Sequence, residues 1–119
     1  MIEILPETAG NVIAIKLSGM ISEADFDASA SEIAPLVEDE RTNLALVDWS
    51  ELEGWEPGAK SVGTWFGMHH WATIRRIAIL ADRKWDDERQ RIADIFKAAD
   101  VRRFSPQERD TALQWLTGS

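Results

Sequence analysis

The chain has 119 residues, no cysteine, and 21 acidic against 13 basic side chains, for a formal net charge of −8. That length makes one domain, residues 1–119, with interior enough to fold without staples; the missing thiols exclude disulfides, thiolate catalysis and cysteine-ligated metal. The negative balance argues against nucleic acid and anionic lipid as broad partners, the apolar runs are too short to span a bilayer, and Met1 to Leu5 lacks the basic flank and cleavage site of a signal peptide, so the expected location is cytoplasmic.

Ile2 to Leu5 and Val12 to Leu17 are apolar, β-branched runs separated by a Pro6-to-Asn11 turn, which predicts an antiparallel hairpin at a sheet edge. Ser22 opens a helix, with Asp25 three residues on in a capping-box position. Phe26, Ala30, Ile33 and Val37 give that helix one buried stripe, and Pro35 predicts a kink before an end near Glu38. Asn43 to Trp49 is apolar until Asp48, the pattern of a central strand covered on both faces. Leu52 to Glu56 reads as loop. Pro57 to Trp71 reads as a helix weakened by Gly58, Gly63 and Gly67, at about 1 kcal/mol each against alanine.

Arg76 to Ala81 is a second interior strand. Trp85 to Ala98 is a helix with Asp86, Asp87 and Glu88 at its dipole-positive end and Ile92, Ile95, Phe96 and Ala99 buried. Val101 to Phe104 is a short strand, and Ser105-Pro106-Gln107-Glu108 reads as the cap and first turn of a last helix docked by Ala112, Leu113, Trp115 and Leu116. The order β-β-α-β-α-β-α-β-α implies an α/β fold. It has a mostly parallel five-stranded mixed sheet, an antiparallel N-terminal hairpin and four helices. Ligands of such sheets settle beyond the carboxyl ends of the strands, which directs attention to Asp48-Trp49-Ser50, Trp55 to Gly58, Asp82 to Trp85 and Ser105.

These same segments carry a resemblance: Asp48-Trp49-Ser50, Ile77-Ala78-Ile79-Leu80-Ala81-Asp82 with Lys84-Trp85 after it, Val101-Arg102-Arg103-Phe104, and Ala112-Leu113-Gln114-Trp115-Leu116. With them the chain resembles the SpoIIAA-like proteins, relatives of the STAS domain of bacterial anti-sigma-factor antagonists. Within that group it looks like a small uncharacterised bacterial branch. The resemblance implies a β-α superhelix, shared in outline with CRAL-TRIO lipid-binding domains. Signalling members carry Asp-Leu-Ser, a few apolar residues and Asp-Ser-Ser-Gly at a helix start, the second of the paired serines being phosphorylated. Laid over this chain, that segment falls on Glu56-Pro57-Gly58-Ala59. The acceptor position is Gly58, which has no hydroxyl, and Ser61 is the nearest replacement.

Other chemistry is sparse. His69 and His70 are adjacent, so on a helix they diverge and chelate no metal well. Asp48 and Asp82 end neighbouring strands, yet no nucleophile, phosphate loop or third metal ligand accompanies them, and strand-end aspartates commonly cap turns. The basic pairs Arg75-Arg76, Arg83-Lys84 and Arg102-Arg103 read as solvated strand ends, with Arg83 and Lys84 placed to meet an anionic head group. Six tryptophans are the feature left over. Trp49, Trp55 and Trp85 map to the ligand edge, and Trp65 and Phe66 to the glycine-bearing helix.

Indoles there either fill core or line a pocket. The functional expectation is a non-enzymatic binding domain without cofactor or metal. It holds a small apolar or amphipathic ligand against Asp48, Trp49, Trp55, Trp65, Phe66, Asp82 and Trp85, with transient membrane contact when a helix lifts. The alternative is a protein-interaction module of the anti-sigma-factor-antagonist type lacking the phospho-acceptor serine.

Overall fold

The computed structural model describes residues 1–37, 39, 41–59, 74–95 and 99–118. In chain order these form β1 (Ile2–Ile4), β2 (Val12–Ile21), α1 (Glu23–Val37), β3 (Leu44–Trp55), β4 (Arg76–Leu80), a 3-10 turn (Arg83–Trp85), α2 (Asp86–Ile95), β5 (Asp100–Phe104) and α3 (Arg109–Thr117). One five-stranded sheet has the order β1-β2-β3-β4-β5. β1 is antiparallel to β2, and β2 to β5 are parallel throughout. The described residues hold three α-helices against the four expected; beyond Ala59, the expected Pro57-to-Trp71 helix lies outside them.

Parallel strands laid down in sequence order advance in one direction across the sheet. Crossovers of one hand then put their helices on one face. α1 and α2 accordingly share a face, where Ile13, Ile15, Ala45, Val47, Trp49, Ile77 and Ile79 are buried with Ile33 of α1. α3 follows the last strand and folds back over the other face, onto Val12, Ala14, Leu44, Leu46, Ala78 and Leu80. Successive strand residues point to opposite faces. β3 therefore feeds both cores, which is why its sequence is apolar at every position from Leu44 to Val47. Phe26 and Ala30 pack against the first core as the helical stripe predicted, while the side chains of Val37, Ile92, Ile95 and Phe96 lie outside the described residues.

The local start signals act as read, with one displacement. Ser22 and Asp25 form a reciprocal capping box: the Asp25 N–H donates to Ser22 Oγ at 3.2 Å and the Ser22 N–H to Asp25 Oδ2 at 2.9 Å. At the last helix the Ser105 N–H donates to Glu108 Oε1 at 2.9 Å, but residues 105–108 close a separate turn and α3 begins only at Arg109.

Two strand ends differ from expectation. β2 runs to Ile21 rather than Leu17, and β3 to Trp55 rather than Trp49, so Leu52 to Trp55 is strand and not loop. Each segment alone is a poor strand: Ser18-Gly19-Met20 and Glu51 to Gly54 have little β-propensity. Together they satisfy one another's backbone, ending with the Glu56 N–H on the Ile21 carbonyl at 2.8 Å. Two register shifts mark the extension, where β3 carries an extra residue between Asp48 and Glu51 and again between Leu52 and Gly54. The first moves Leu52 onto the α1/α2 face together with Trp49.

Candidate functional site

β4 ends at Leu80, opposite Asp48, whereas β3 continues to Trp55 paired with β2. This overhanging arm stands at the carboxyl end of the sheet. Its two sides present different chemistry.

On the α1/α2 side lies a run of aromatic rings. Phe26 of α1 stacks on Trp55, with centroids 6.5 Å apart and planes 4° from parallel. Trp55 meets Trp49 edge-on at 6.0 Å, and Trp49 meets Trp85 edge-on at 6.0 Å. Such edge-to-face pairs place ring hydrogens over π density. Trp49 is 2% exposed; Trp55 and Trp85 are half-buried. The Nε1 atoms of Trp49 and Trp55 are both sealed from solvent and have no hydrogen-bond partner among the described residues. A buried N–H left unpaired costs about 1–3 kcal/mol.

On the opposite side Asp48 is buried beneath the start of α3. Its Oδ1 accepts the Ser50 N–H at 2.9 Å, which braces the bulge, and its Oδ2 accepts Arg109 Nη1 at 3.0 Å. Arg109 Nε also pairs with the Glu7 carboxylate from the β1–β2 turn. One guanidinium thus ties α3 to β3 and to the N-terminal hairpin. Burial pushes the Asp48 carboxyl up, but the Ser50 and Arg109 hydrogen bonds outweigh it and leave its pKa below the ordinary value. The Arg109 hydrogen bond likewise holds Glu7 low.

The expected site residues therefore divide. Trp49, Trp55 and Trp85 come together. Asp48 faces away from them into the Arg109 clasp. Asp82 is exposed at the head of the 3-10 turn, where its carbonyl accepts the Trp85 N–H at 3.1 Å and its side chain makes no cap. Lys84 Nζ lies 5.4 Å from the centre of the Trp85 ring. Trp65, Phe66, Trp71, His69, His70 and Ser61 are outside the described residues. Among the described residues no group of acidic or histidine side chains could hold a metal ion, and no helix is long and apolar enough to cross a membrane.

Reading the sequence missed Arg109 and Glu7. The sequence held no local signal: the expected helix start at Ser105 put Arg109 past the first turn, and its partner Glu7 lies 102 residues away in the chain.

Beyond the arm, Glu56, Pro57 and Gly58 form an exposed turn closed by the Ala59 N–H on the Glu56 carbonyl at 3.0 Å. Gly58 has φ +88°, and a Cβ built there would come within 2.5 Å of Glu23 Oε1. The Glu23 carboxyl can swing aside, but the left-handed backbone cannot change without breaking the turn. Gly58→Ala is therefore expected to cost about 1–2 kcal/mol. Adding Glu23→Ala should recover little of it in urea unfolding; full recovery would show crowding, not backbone, as the cause.

The family model described as SpoIIAA-like matches residues 12–117. Among solved structures, an uncharacterised protein of the DUF3478 family with a SpoIIAA-like fold, from Shewanella loihica PV-4, superposes with TM-score 0.77 at 22% identity, covering 98% of this chain and 92% of that one. The anti-sigma factor antagonist SpoIIAA in its unphosphorylated form gives 0.64 at 9% identity, over 96% and 98%. The Bacillus cell fate determinant SpoIIAA in its phosphorylated form gives 0.64 at 8%, over 95% and 99%. At these identities the likeness is one of fold. No curated protein matches the chain.

Proposed function

Since the chain belongs to the SpoIIAA-like family, we propose that it is a non-enzymatic regulatory module that binds a protein partner through the β3 arm and the turn after it, Ser50 to Gly58. The observation that carries this reading is the overhang itself. Past the end of β4 the arm exposes Ser50, Glu51 and Glu53, and the turn exposes Glu56, Pro57 and Gly58. The backbone beneath them is held rigid by pairing to β2, which lowers the entropy lost on docking.

The surface is acidic, so the partner it fits presents basic side chains. No phosphoserine switch operates at Gly58: the position has no hydroxyl, and the Glu23 carboxylate already stands against it. A non-enzymatic role agrees with the two strand-end carboxylates. Asp48 is spent on Arg109 and Ser50, and Asp82 is exposed.

Affinity capture from native lysate tests this. A stoichiometric partner is expected with the natural chain and should be lost with Glu53→Lys/Glu56→Lys, a double change at exposed positions that leaves the melting temperature unaltered. Capture that survives the double variant, or a covalent phosphate appearing on the arm, would overturn the reading.

One observation favours a second reading, a small apolar or amphipathic ligand held among Trp49, Trp55 and Trp85. Two sealed indole N–H groups without acceptors among the described residues are what a carbonyl or carboxylate oxygen of such a ligand would satisfy. Trp65 and Phe66 would complete its walls, and transient membrane contact would be its route in. Titration with fatty acids should then shift tryptophan fluorescence, and mass spectrometry of natively purified protein should detect the passenger. A silent titration across chain lengths together with a bare mass would eliminate it.

A further inference from the structure

The sheet has a second feature that the arm does not use. β5 is its outer strand, and among the described residues no strand pairs on its far side. In a parallel ladder alternate residues bond to the neighbour. The Asp100 N–H donates to the Arg75 carbonyl at 2.8 Å and the Phe104 carbonyl accepts the Ala81 N–H at 2.9 Å, so Asp100, Arg102 and Phe104 bond inward to β4. The N–H and C=O groups of Val101 and Arg103 consequently point outward along the free edge. Natural proteins usually shorten, cover or charge such an edge. This edge is short and carries Asp100, Arg102 and Arg103, and it runs beside an open groove of about 520 Å³, lined by α2 on one side and the turn before α3 on the other.

The charge in that groove has the sign opposite to the chain's. Its lining holds Arg89, Arg102 and Arg103 against Asp86 and Glu108, in a protein of net charge −8. Both carboxylates are already engaged. Asp86 accepts Arg103 Nε at 2.7 Å, and Glu108 accepts the Ser105 N–H. Arg103 is spent on Asp86 and on the Ala81 carbonyl at 3.1 Å. Arg102 stacks over Trp115, 5.3 Å from the ring centre, and Arg89 bonds to its neighbour Gln90 at 3.3 Å. Two guanidinium groups thus flank the open edge with no carboxylate partner among the described residues.

We infer that the β5 edge is a docking site for an acidic segment in extended conformation, which adds a sixth strand to the sheet. Its backbone would pair with the outward N–H and C=O groups of Val101 and Arg103, and its acidic side chains would meet Arg89 and Arg102. Main-chain pairing supplies affinity in this mode and the flanking side chains supply selectivity. The site lies across β4 from the β3 arm, so it stands or falls independently of the proposed partner surface.

The probe is a fluorescein-tagged hexapeptide, Glu-Glu-Thr-Thr-Glu-Glu, which in extended form presents glutamate on both faces of the sheet, one toward Arg89 and one toward Arg102. Its controls are the same peptide with lysine for glutamate, and with proline for threonine. Saturable binding of the glutamate–threonine peptide is expected, weakening with added salt, with the amide resonances of Val101 and Arg103 shifting most. Arg89→Glu/Arg102→Glu should reduce affinity about tenfold or more. Resonance mapping on the natural chain keeps the test decisive should that variant fold poorly. Equal binding of the lysine peptide would overturn the proposal, as would equal binding of the proline peptide, shifts confined to other strands, or no binding. Self-association of the chain through this edge, seen by sedimentation and abolished by Arg102→Glu, would assign the edge to a second copy and overturn it too.

Discussion

Arg109→Ala is expected to destabilise the fold by about 3 kcal/mol, toward the lower end of what a broken buried ion pair costs, because the Arg109 side chain keeps 33% exposure. The loss comes less from the missing attraction than from what stays behind. The Asp48 side chain is only 8% exposed. Without the guanidinium it is a charge in a poor solvent, held by the Ser50 N–H. Asp48→Asn should cost less than Arg109→Ala, since it removes the charge and preserves an acceptor for Ser50. A double change to Leu at 48 and Met at 109 should recover much of the loss, because it leaves neither charge uncompensated. Urea unfolding of the three variants measures this, and a loss under about 1 kcal/mol for Arg109→Ala would refute the clasp.

The same clasp sets an acid limit. Glu7 and Asp48 both have native pKa values below their ordinary ones. Groups shifted that way contribute stability that is complete above the unfolded carboxylate range, about pH 4, and that disappears as pH falls through the native values. Stability of the natural chain should therefore decline on acidification below about pH 5. Arg109→Ala should decline less steeply, because it removes the Arg109 contribution that lowers both carboxyls. Parallel acid slopes for the two proteins would place the proton uptake elsewhere.

Trp49→Ala is expected to cost about 4 kcal/mol, the usual scale for deleting a large buried aromatic. Natural domains of this size have roughly 5–15 kcal/mol in all, so the variant should be marginal. Trp49 is the ring through which Trp55 and Trp85 are joined, so near-ultraviolet circular dichroism should collapse with it. Trp49→Phe should cost far less: it retains most of the apolar volume and removes a buried N–H that has no acceptor among the described residues. A small effect of Trp49→Ala, under about 1.5 kcal/mol, would mean the ring borders space it does not fill.

How much was legible depended on the range over which each signal acts. The capping box at Ser22 and Asp25 is a contact between residues three apart, and it formed as read. The twofold burial of β3 could be read because apolar residues at consecutive positions admit few other arrangements. The β3 arm could not be read. Glu51 to Gly54 and Ser18 to Met20 carry no strand signal singly, and become strand only because each meets the other's free backbone groups. The indole cluster was half legible. Its members sit near the ends of different strands, which placed Trp49, Trp55 and Trp85 at one edge. The side of the sheet on which each one lies depends on pleat and bulge, and this separated Asp48 from Trp49 although they are neighbours in the chain.

By itself the sequence determined the class of fold, the antiparallel edge, the strand order along the chain and the absence of thiol chemistry, all of which follow from composition and local periodicity. Only the tertiary structure decided that Asp48 is locked under Arg109 and Glu7, that three indoles share one core, and that β5, among the described residues, leaves its outer edge open beside cations. Those depend on which face and which neighbour each residue receives. Face and neighbour are set by ladder register and crossover hand, and these are properties of the assembled sheet rather than of any stretch of chain.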